Sequence, residues 1–240
     1  MSDSNGGSRY PSYSYAFQPI VDAGSRAIFS YEALVRGPRA ESAKHVLDQV
    51  ASEVRHRFDG ESRVTALALA GRLGLCCHIN LNVLPRSLAG AGAQMRALIA
   101  AAERWGVSLD RVVLEFTEGE AIDDHGEFAA LVDEYRALGM KVAIDDFGAG
   151  YSGLNLLADF QPDMIKLDMN LVRGIESRGA RQSIARAIAM VCSDLGVDVI
   201  AEGVETREEY EWFVGEGVRL FQGYLFGRPG FECFPEARYP

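Results

Sequence analysis

Short, almost wholly apolar runs alternate with longer helical stretches along most of this 240-residue chain. Val112-Val113-Leu114, Val142-Ala143-Ile144 and Val199-Ile200-Ala201 are typical. Such runs are too short for core helices and too apolar for half-exposed strands, so they suit parallel strands buried on both faces. The pattern predicts strands over 15–20, 27–35, 76–81, 111–117, 141–145, 164–168, 197–201 and 219–222. It predicts helices over 42–54, 63–73, 93–105, 126–138, 181–195 and 207–214. Strand followed by helix, repeated about seven or eight times, favours a closed α/β barrel of the TIM (β/α)8 type over an open doubly wound sheet. The first strand lacks a G-x-G-x-x-G turn, which weakens the dinucleotide-binding form of the open sheet. Residues 1–14 read as a flexible tail and residues 15–240 as one domain.

The net charge is −10 and the pI about 4.9. A DNA or RNA polymer needs a basic face, so neither is an expected partner. The N-terminal Met-Ser-Asp-Ser-Asn-Gly-Gly-Ser has no apolar signal region, and no run of about 18 apolar residues could cross a membrane. The chain reads as cytoplasmic. Cys76, Cys77, Cys192 and Cys233 contain no C-x-x-C pair and read as reduced, mostly buried thiols.

In a barrel of this kind, reactive groups stand at the C-terminal ends of strands. Here those positions hold Asn80, Glu115, Asp145 and Asp146, Lys166, Glu202 and Gln222, with Glu32 inside an apolar run. Five carboxylates converging on one face would repel each other unless cations neutralise them. Oxygen ligands without His or Cys point to Mg2+ or Mn2+ rather than zinc. Asp145 and Asp146 would point to opposite faces within a strand, so both reach one site only if the strand ends there. Adjacent carboxylates at a strand end suit two cations about 3.5–4 Å apart. His78, two residues before Asn80, reads as a packed imidazole, and Trp105, Trp212 and Phe213 read as core.

An ordered set of motifs runs along the chain: Tyr31-Glu32-Ala33-Leu34-Val35-Arg36, Ile79-Asn80-Leu81, Glu115-Phe116-Thr117-Glu118, Asp145-Asp146-Phe147-Gly148-Ala149-Gly150-Tyr151-Ser152, Lys166-Leu167-Asp168, Ala201-Glu202-Gly203-Val204-Glu205 and Phe221-Gln222-Gly223-Tyr224. This set resembles the EAL domain family. The resemblance spans about residues 15–232. It implies a modified TIM barrel with an antiparallel first strand, and metal-dependent hydrolysis of cyclic di-GMP to linear pGpG. It implies that Glu32, Asn80, Glu115 and Asp145 ligate one of two metal ions. Asp146 and Glu205 would help hold the second, with Asp145 shared. Glu32, Lys166, Glu202 and Gln222 form the implied catalytic set. Gln18, Leu34, Arg36 and Asp168 would contact substrate, Arg36 at a phosphate and Gln18 at a guanine. Glu118 would brace the loop at 146–152, which with Gly148, Gly150 and Gly153 is a natural mobile element. Members of the family commonly form homodimers near that loop. Gly37-Pro38 and Asn82 depart from common family patterns without replacing an implied ligand.

Two other readings compete. A member that has lost activity could serve as a cyclic di-GMP receptor or protein-binding module, although every implied ligand position is filled here. An enolase-type lyase also uses Mg2+ and a lysine, but it usually carries a capping domain that this length hardly allows.

Overall fold

The computed structural model describes residues 10–84, 92–118, 125–150, 157–158 and 160–240. The chain opens with an antiparallel hairpin, β1 (Ser14–Asp22) and β2 (Ala27–Arg36), in which Gln18 faces Glu32. Asp22 shapes the turn, its Oδ1 accepting from Gly24 N at 2.7 Å and Ser25 N at 3.1 Å. An aspartate carboxylate that hydrogen-bonds its own backbone in this way forms a local turn. Strands β3 (His78–Val83), β4 (Val112–Thr117), β5 (Lys141–Phe147), β6 (Met164–Leu167), β7 (Asp198–Ala201) and β8 (Leu220–Gln222) follow β2 in parallel order. β8 then pairs antiparallel with β1, placing Gln222 opposite Ile20 and closing the ring. The two-residue β9 (Gly230–Phe231) pairs with the outer part of β1. The architecture is an eight-stranded modified TIM barrel whose first strand runs against the other seven.

The connecting helices among the described residues are α1 (Ala43–Leu47), α2 (Arg55–Arg72), α3 (Gly92–Trp105), α4 (His125–Ala137), α5 (Met169–Val172), α6 (Gly179–Leu195) and α7 (Arg207–Gly215). One departure from the sequence pattern lies before β3. The expected helix over 42–54 is only α1 and a short 3-10 turn at Ser52–Val54, and α2 begins at Arg55 rather than near residue 63. The part of α2 that the apolar pattern missed carries a buried ion pair. Asp59 and Arg63, one helical turn apart on α2, bond to each other inside the protein. Apolar periodicity cannot register a helix face that buries charges in this way.

Side chains of alternate strand residues fill the barrel in layers. Ile20, Val113, Ala143, Met164, Ile200 and Leu220 form an apolar plug, distinct from the larger core between sheet and helices. His78 stacks on Phe29 with centroids 4.7 Å apart, and its Nδ1 lies 3.2 Å from the Phe29 carbonyl, as the packed reading expects. Phe213 is buried, whereas Trp105 and Trp212 are half-buried. The thiols depart from expectation, since only Cys192 is buried while Cys76 and Cys233 are exposed. Both exposed thiols lie outside the strands and helices, Cys76 just before β3 and Cys233 just after β9, where no packing layer covers them. Most of the expected tail lies outside the described residues, but Tyr10 and Tyr13 pack edge-on against Phe58, and Ser14 already belongs to β1. Among the described residues no helix is long and apolar enough to cross a membrane.

β8 runs straight into a tightly packed turn. A Cβ added to Gly223 would collide with the backbone nitrogen and oxygen of Val204. Backbone cannot rotate away as a side chain can. Gly223→Ala is expected to cost at least about 2 kcal/mol of stability in urea denaturation, the range of overpacking defects.

Candidate active site

Two positions beyond each plug residue of the parallel strands stands a polar group. Val113 leads to Glu115, Ala143 to Asp145, Met164 to Lys166, Ile200 to Glu202 and Leu220 to Gln222. The plug therefore forms the floor of the site, and the next layer up is its chemistry. Asn80 stands in the same way two positions beyond His78, and Glu32 two beyond the buried Ser30.

Lys166 occupies the centre and is 1% exposed. Its Nζ lies 2.7 Å from Glu202, 3.0 Å from Glu115, 3.2 Å from Asp145 and 3.6 Å from Glu32. Burial alone would lower the lysine pKa, but these four carboxylates, Asp145 foremost, outweigh it and hold the amine well above its ordinary value. Without metal, the surrounding acids thus favour the ammonium form of Lys166. Burial, reinforced by Glu32 and Asp145, pushes Glu115 up to about 8 despite the pull of Lys166. Burial likewise raises Glu202 well above the usual carboxylate range, and Asp146 more mildly with help from Asp145 and Asp168. One ammonium cannot neutralise this many acids. Each pair of like charges about 4 Å apart costs about 4 kcal/mol at an effective dielectric of about 20.

The carboxylates group into two triads. Oxygens of Glu32, Glu115 and Asp145 lie within 4.8 Å of one another, as do those of Asp145, Asp146 and Glu202. Asp145 belongs to both. The expected route for Asp146 needs correction. β5 does not end at Asp145 but continues to Phe147, with an irregular register against β6 between Ile144 and Phe147. Asp146 takes a left-handed φ of 54°, a conformation that aspartate tolerates better than most residues. That local twist, not the end of the strand, turns the second carboxylate into the site.

The remaining groups support this layer. Asn80 Nδ2 donates to Glu115 Oε1 at 2.7 Å, and Gln222 Nε2 donates to Glu32 Oε2 at 2.7 Å. Asn80 Oδ1, Glu115 Oε2 and Gln222 Oε1 are buried without a hydrogen-bond partner. Buried oxygens are rarely left unpaired. An oxygen-only donor set with orphaned oxygens and surplus negative charge fits hard divalent cations such as Mg2+ or Mn2+.

Glu118 Oε2 accepts from Gly148 N at 2.8 Å and Gly150 N at 3.4 Å, so its carboxylate holds the loop after β5. That loop is described only to Gly150, and Gly153 lies outside the described residues. Glu205 stands apart from both triads and pairs with Arg173. Asp168 caps α5, accepting from Asn170 N and Nδ2 at 2.9 Å each, and still lines the cleft. Gln18 accepts from Gln222 Nε2 at 3.3 Å and donates to the Gly227 carbonyl at 3.1 Å. Arg36 lies half-buried at the end of β2, its Nη1 donating to the Val35 carbonyl at 2.8 Å.

A cleft of about 220 Å3 opens over Glu32, Asp146, Glu202, Gln222 and Gln18. A second of about 380 Å3 lies on the other side of Glu32, lined by Leu34, Phe58, Asn82 and Leu84 among others. Two groups make contacts that the sequence reading did not assign to them. Asn82 Nδ2 donates to Glu32 Oε1 at 3.1 Å. Its position two residues beyond Asn80 was the available signal. Glu209 is buried on α7 and accepts from Gly174 N and Glu205 N, both at 2.8 Å, joining the loops after β6 and β7. No local pattern marks it beyond the Thr206–Glu209 capping box.

Comparison with known proteins agrees with this geometry. The EAL domain model matches residues 11–229. A standalone EAL protein from Vibrio cholerae O395, solved in a c-di-GMP-bound form, is 44% identical with a TM-score of 0.90, covering 94% of this chain and 95% of that one. Klebsiella pneumoniae BlrP1, solved with manganese and cyclic diGMP, is 42% identical with a TM-score of 0.88, covering 99% of this chain and 62% of that one. The blue light- and temperature-regulated antirepressor BluF of Escherichia coli (strain K12) is 35% identical over 94% of this chain. The chain spans 56% of BluF's length and 23% of that of the cyclic di-GMP phosphodiesterase PdeR from the same organism. With the family model matching from before β1 to the start of β9, this chain belongs to the EAL domain family.

Proposed function

We propose that this chain hydrolyses one phosphodiester bond of cyclic di-GMP, giving linear pGpG, with two Mg2+ or Mn2+ ions at the barrel mouth. One observation carries the reading. Two oxygens, Asn80 Oδ1 and Glu115 Oε2, are buried and unpaired amid more carboxylates than Lys166 can balance. Glu32, Asn80, Glu115 and Asp145 would hold one ion. Asp145, Asp146 and Glu202 surround the place for the other, and Glu205 would join them on leaving Arg173. The complexes of relatives with cyclic di-GMP and manganese support this choice of ligand and metal.

Bound there, the cations would draw charge from the scissile phosphate and favour deprotonation of a nearby water. The chain's own groups divide the remaining work. Lys166, within 3.2 Å of Glu202, Glu115 and Asp145, positions or activates the attacking water and offsets charge on the scissile phosphate. Glu202, 2.7 Å from Lys166 and a member of the second triad, accepts the water's proton on a carboxylate oxygen. Gln222 fixes Glu32 through its amide. The clefts on either side of Glu32 suit the two halves of a dinucleotide, with Gln18 and Asp168 on one side, Leu34 on the other and Arg36 near Glu32. Homodimerisation near the loop braced by Glu118 completes the reading. BluF's description as an antirepressor supports a second reading, a receptor or protein-binding module. Tight binding of cyclic di-GMP without turnover would decide for it.

With Mn2+ present, chromatography is expected to show cyclic di-GMP converted to pGpG, and EDTA to stop the reaction. Glu115→Gln should lower kcat at least about 100-fold while the protein stays folded; wild-type-like turnover would refute the ligand set. Glu118→Ala should lower kcat yet leave Mn2+ affinity unchanged, as measured by calorimetry.

The metal-free protein should also show a diagnostic pH dependence. Glu115 holds its proton more tightly when folded than when unfolded, so its contribution to stability is complete below the unfolded value of about 4.3 and is lost as pH rises through about 8. In EDTA, Tm should fall over that window, and Glu115→Gln should flatten the fall. Added Mn2+ should raise Tm most at the alkaline end. A metal-free Tm that climbs from pH 5 to 8 would contradict the electrostatic account.

A further inference from the structure

We propose that Glu209 is a positioning residue for the second divalent ion, acting through Glu205. The inference deepens the two-ion reading above and rests on it. Arg173 and Glu205 line the cleft that holds Asp146 and Glu202, and Glu209 stands behind them on α7, 4% exposed. Both of its carboxylate oxygens bond to backbone. Oε1 accepts from Gly174 N at 2.8 Å. Oε2 accepts from Glu205 N at 2.8 Å and from Thr206 N at 3.1 Å. Gly174 directly follows Arg173, so one buried side chain holds the backbone beside Arg173 and that of Glu205 itself. These are the two members of the ion pair at the cleft rim.

A capping box explains only part of this. Thr206 Oγ1 accepts from Glu209 N at 3.2 Å, and the Glu209 carboxylate returns a bond to Thr206 N. Those two bonds satisfy the first turn of α7. The bonds to Gly174 and Glu205 go further and join the loop after β6 to the loop after β7. The same two loops also meet at Gly203, where an added Cβ would lie 2.7 Å from the Met169 Cβ. Glu205 is therefore anchored at its own backbone, while its side chain stays 41% exposed at the rim. An anchored backbone confines that carboxylate to a short arc between Arg173 and the acids of the second triad. Groups that fix a metal ligand from behind commonly account for about 10–100-fold in metal affinity.

Calorimetric titration of the full chain with Mn2+ tests the assignment. The wild-type protein should take up two ions. Glu209→Gln keeps the shape, but its amide nitrogen cannot accept a hydrogen bond, so one of the two loops is released. It should weaken the second ion about 10-fold or more and leave the first, held by Glu32, Asn80, Glu115 and Asp145, nearly unchanged. Glu205→Gln should also weaken the second ion, and adding Glu209→Gln to it should cause little further loss, because both changes remove one interaction. A merely structural role would lower both affinities together. Circular dichroism in EDTA checks the fold. If Glu209→Gln does not fold, Glu209→Asp takes its place, since it keeps both acceptors on a shorter stem and should show the same selective loss. The proposal fails if the second ion binds as tightly as in the wild type, if both ions weaken equally, or if the two substitutions add in full. A wild-type protein that takes up at most one ion would overturn the two-ion reading itself, and this proposal with it.

Discussion

A single buried ammonium surrounded by acids is the interaction on which the rest of the molecule depends. Lys166 lies on β6 with Glu115 from β4, Asp145 from β5, Glu202 from the end of β7 and Glu32 from β2 all within 3.6 Å. A buried charge that loses its partners is costly, and so is a crowd of like charges. Lys166 keeps the acids together without metal but leaves them under-neutralised. Such a surplus of negative charge is what the proposed cations would offset.

The barrel makes that arrangement possible by geometry alone. Strands of period two present alternate side chains inward, and a closed ring brings residues far apart in sequence to one level. The apolar plug below excludes water and lowers the dielectric, which strengthens each interaction in the polar layer above it. The hairpin of β1 and β2 has a second effect. Because β1 runs antiparallel, Gln18 and Gln222 reach the same level from opposite chain directions, and Glu32 is held by an amide from β8. The reversed first strand thus builds one wall of the cleft.

Much of this was legible in the residues. The apolar runs located every barrel strand, and polar residues just beyond them marked the acidic layer, because strand periodicity is local and short. What escaped depends on long-range packing or on backbone twist. Asp59 and Arg63 form a helix that buries charge, and no periodicity rule anticipates this. Asp146 enters the site through a positive φ inside β5 rather than through the strand's end. Glu205 bonds to Arg173, a residue on a different loop, and the clamp by Glu209 that positions both loops has no signature within either of them.

The central claim is that these side chains form a cradle for two divalent ions. A crystal soaked in Mn2+, with anomalous difference density collected near the manganese edge, tests it directly. The account predicts two peaks, one bounded by Glu32, Asn80, Glu115 and Asp145 and the other by Asp145, Asp146 and Glu202. No peak within coordination distance of Glu115 at saturating Mn2+ would contradict it.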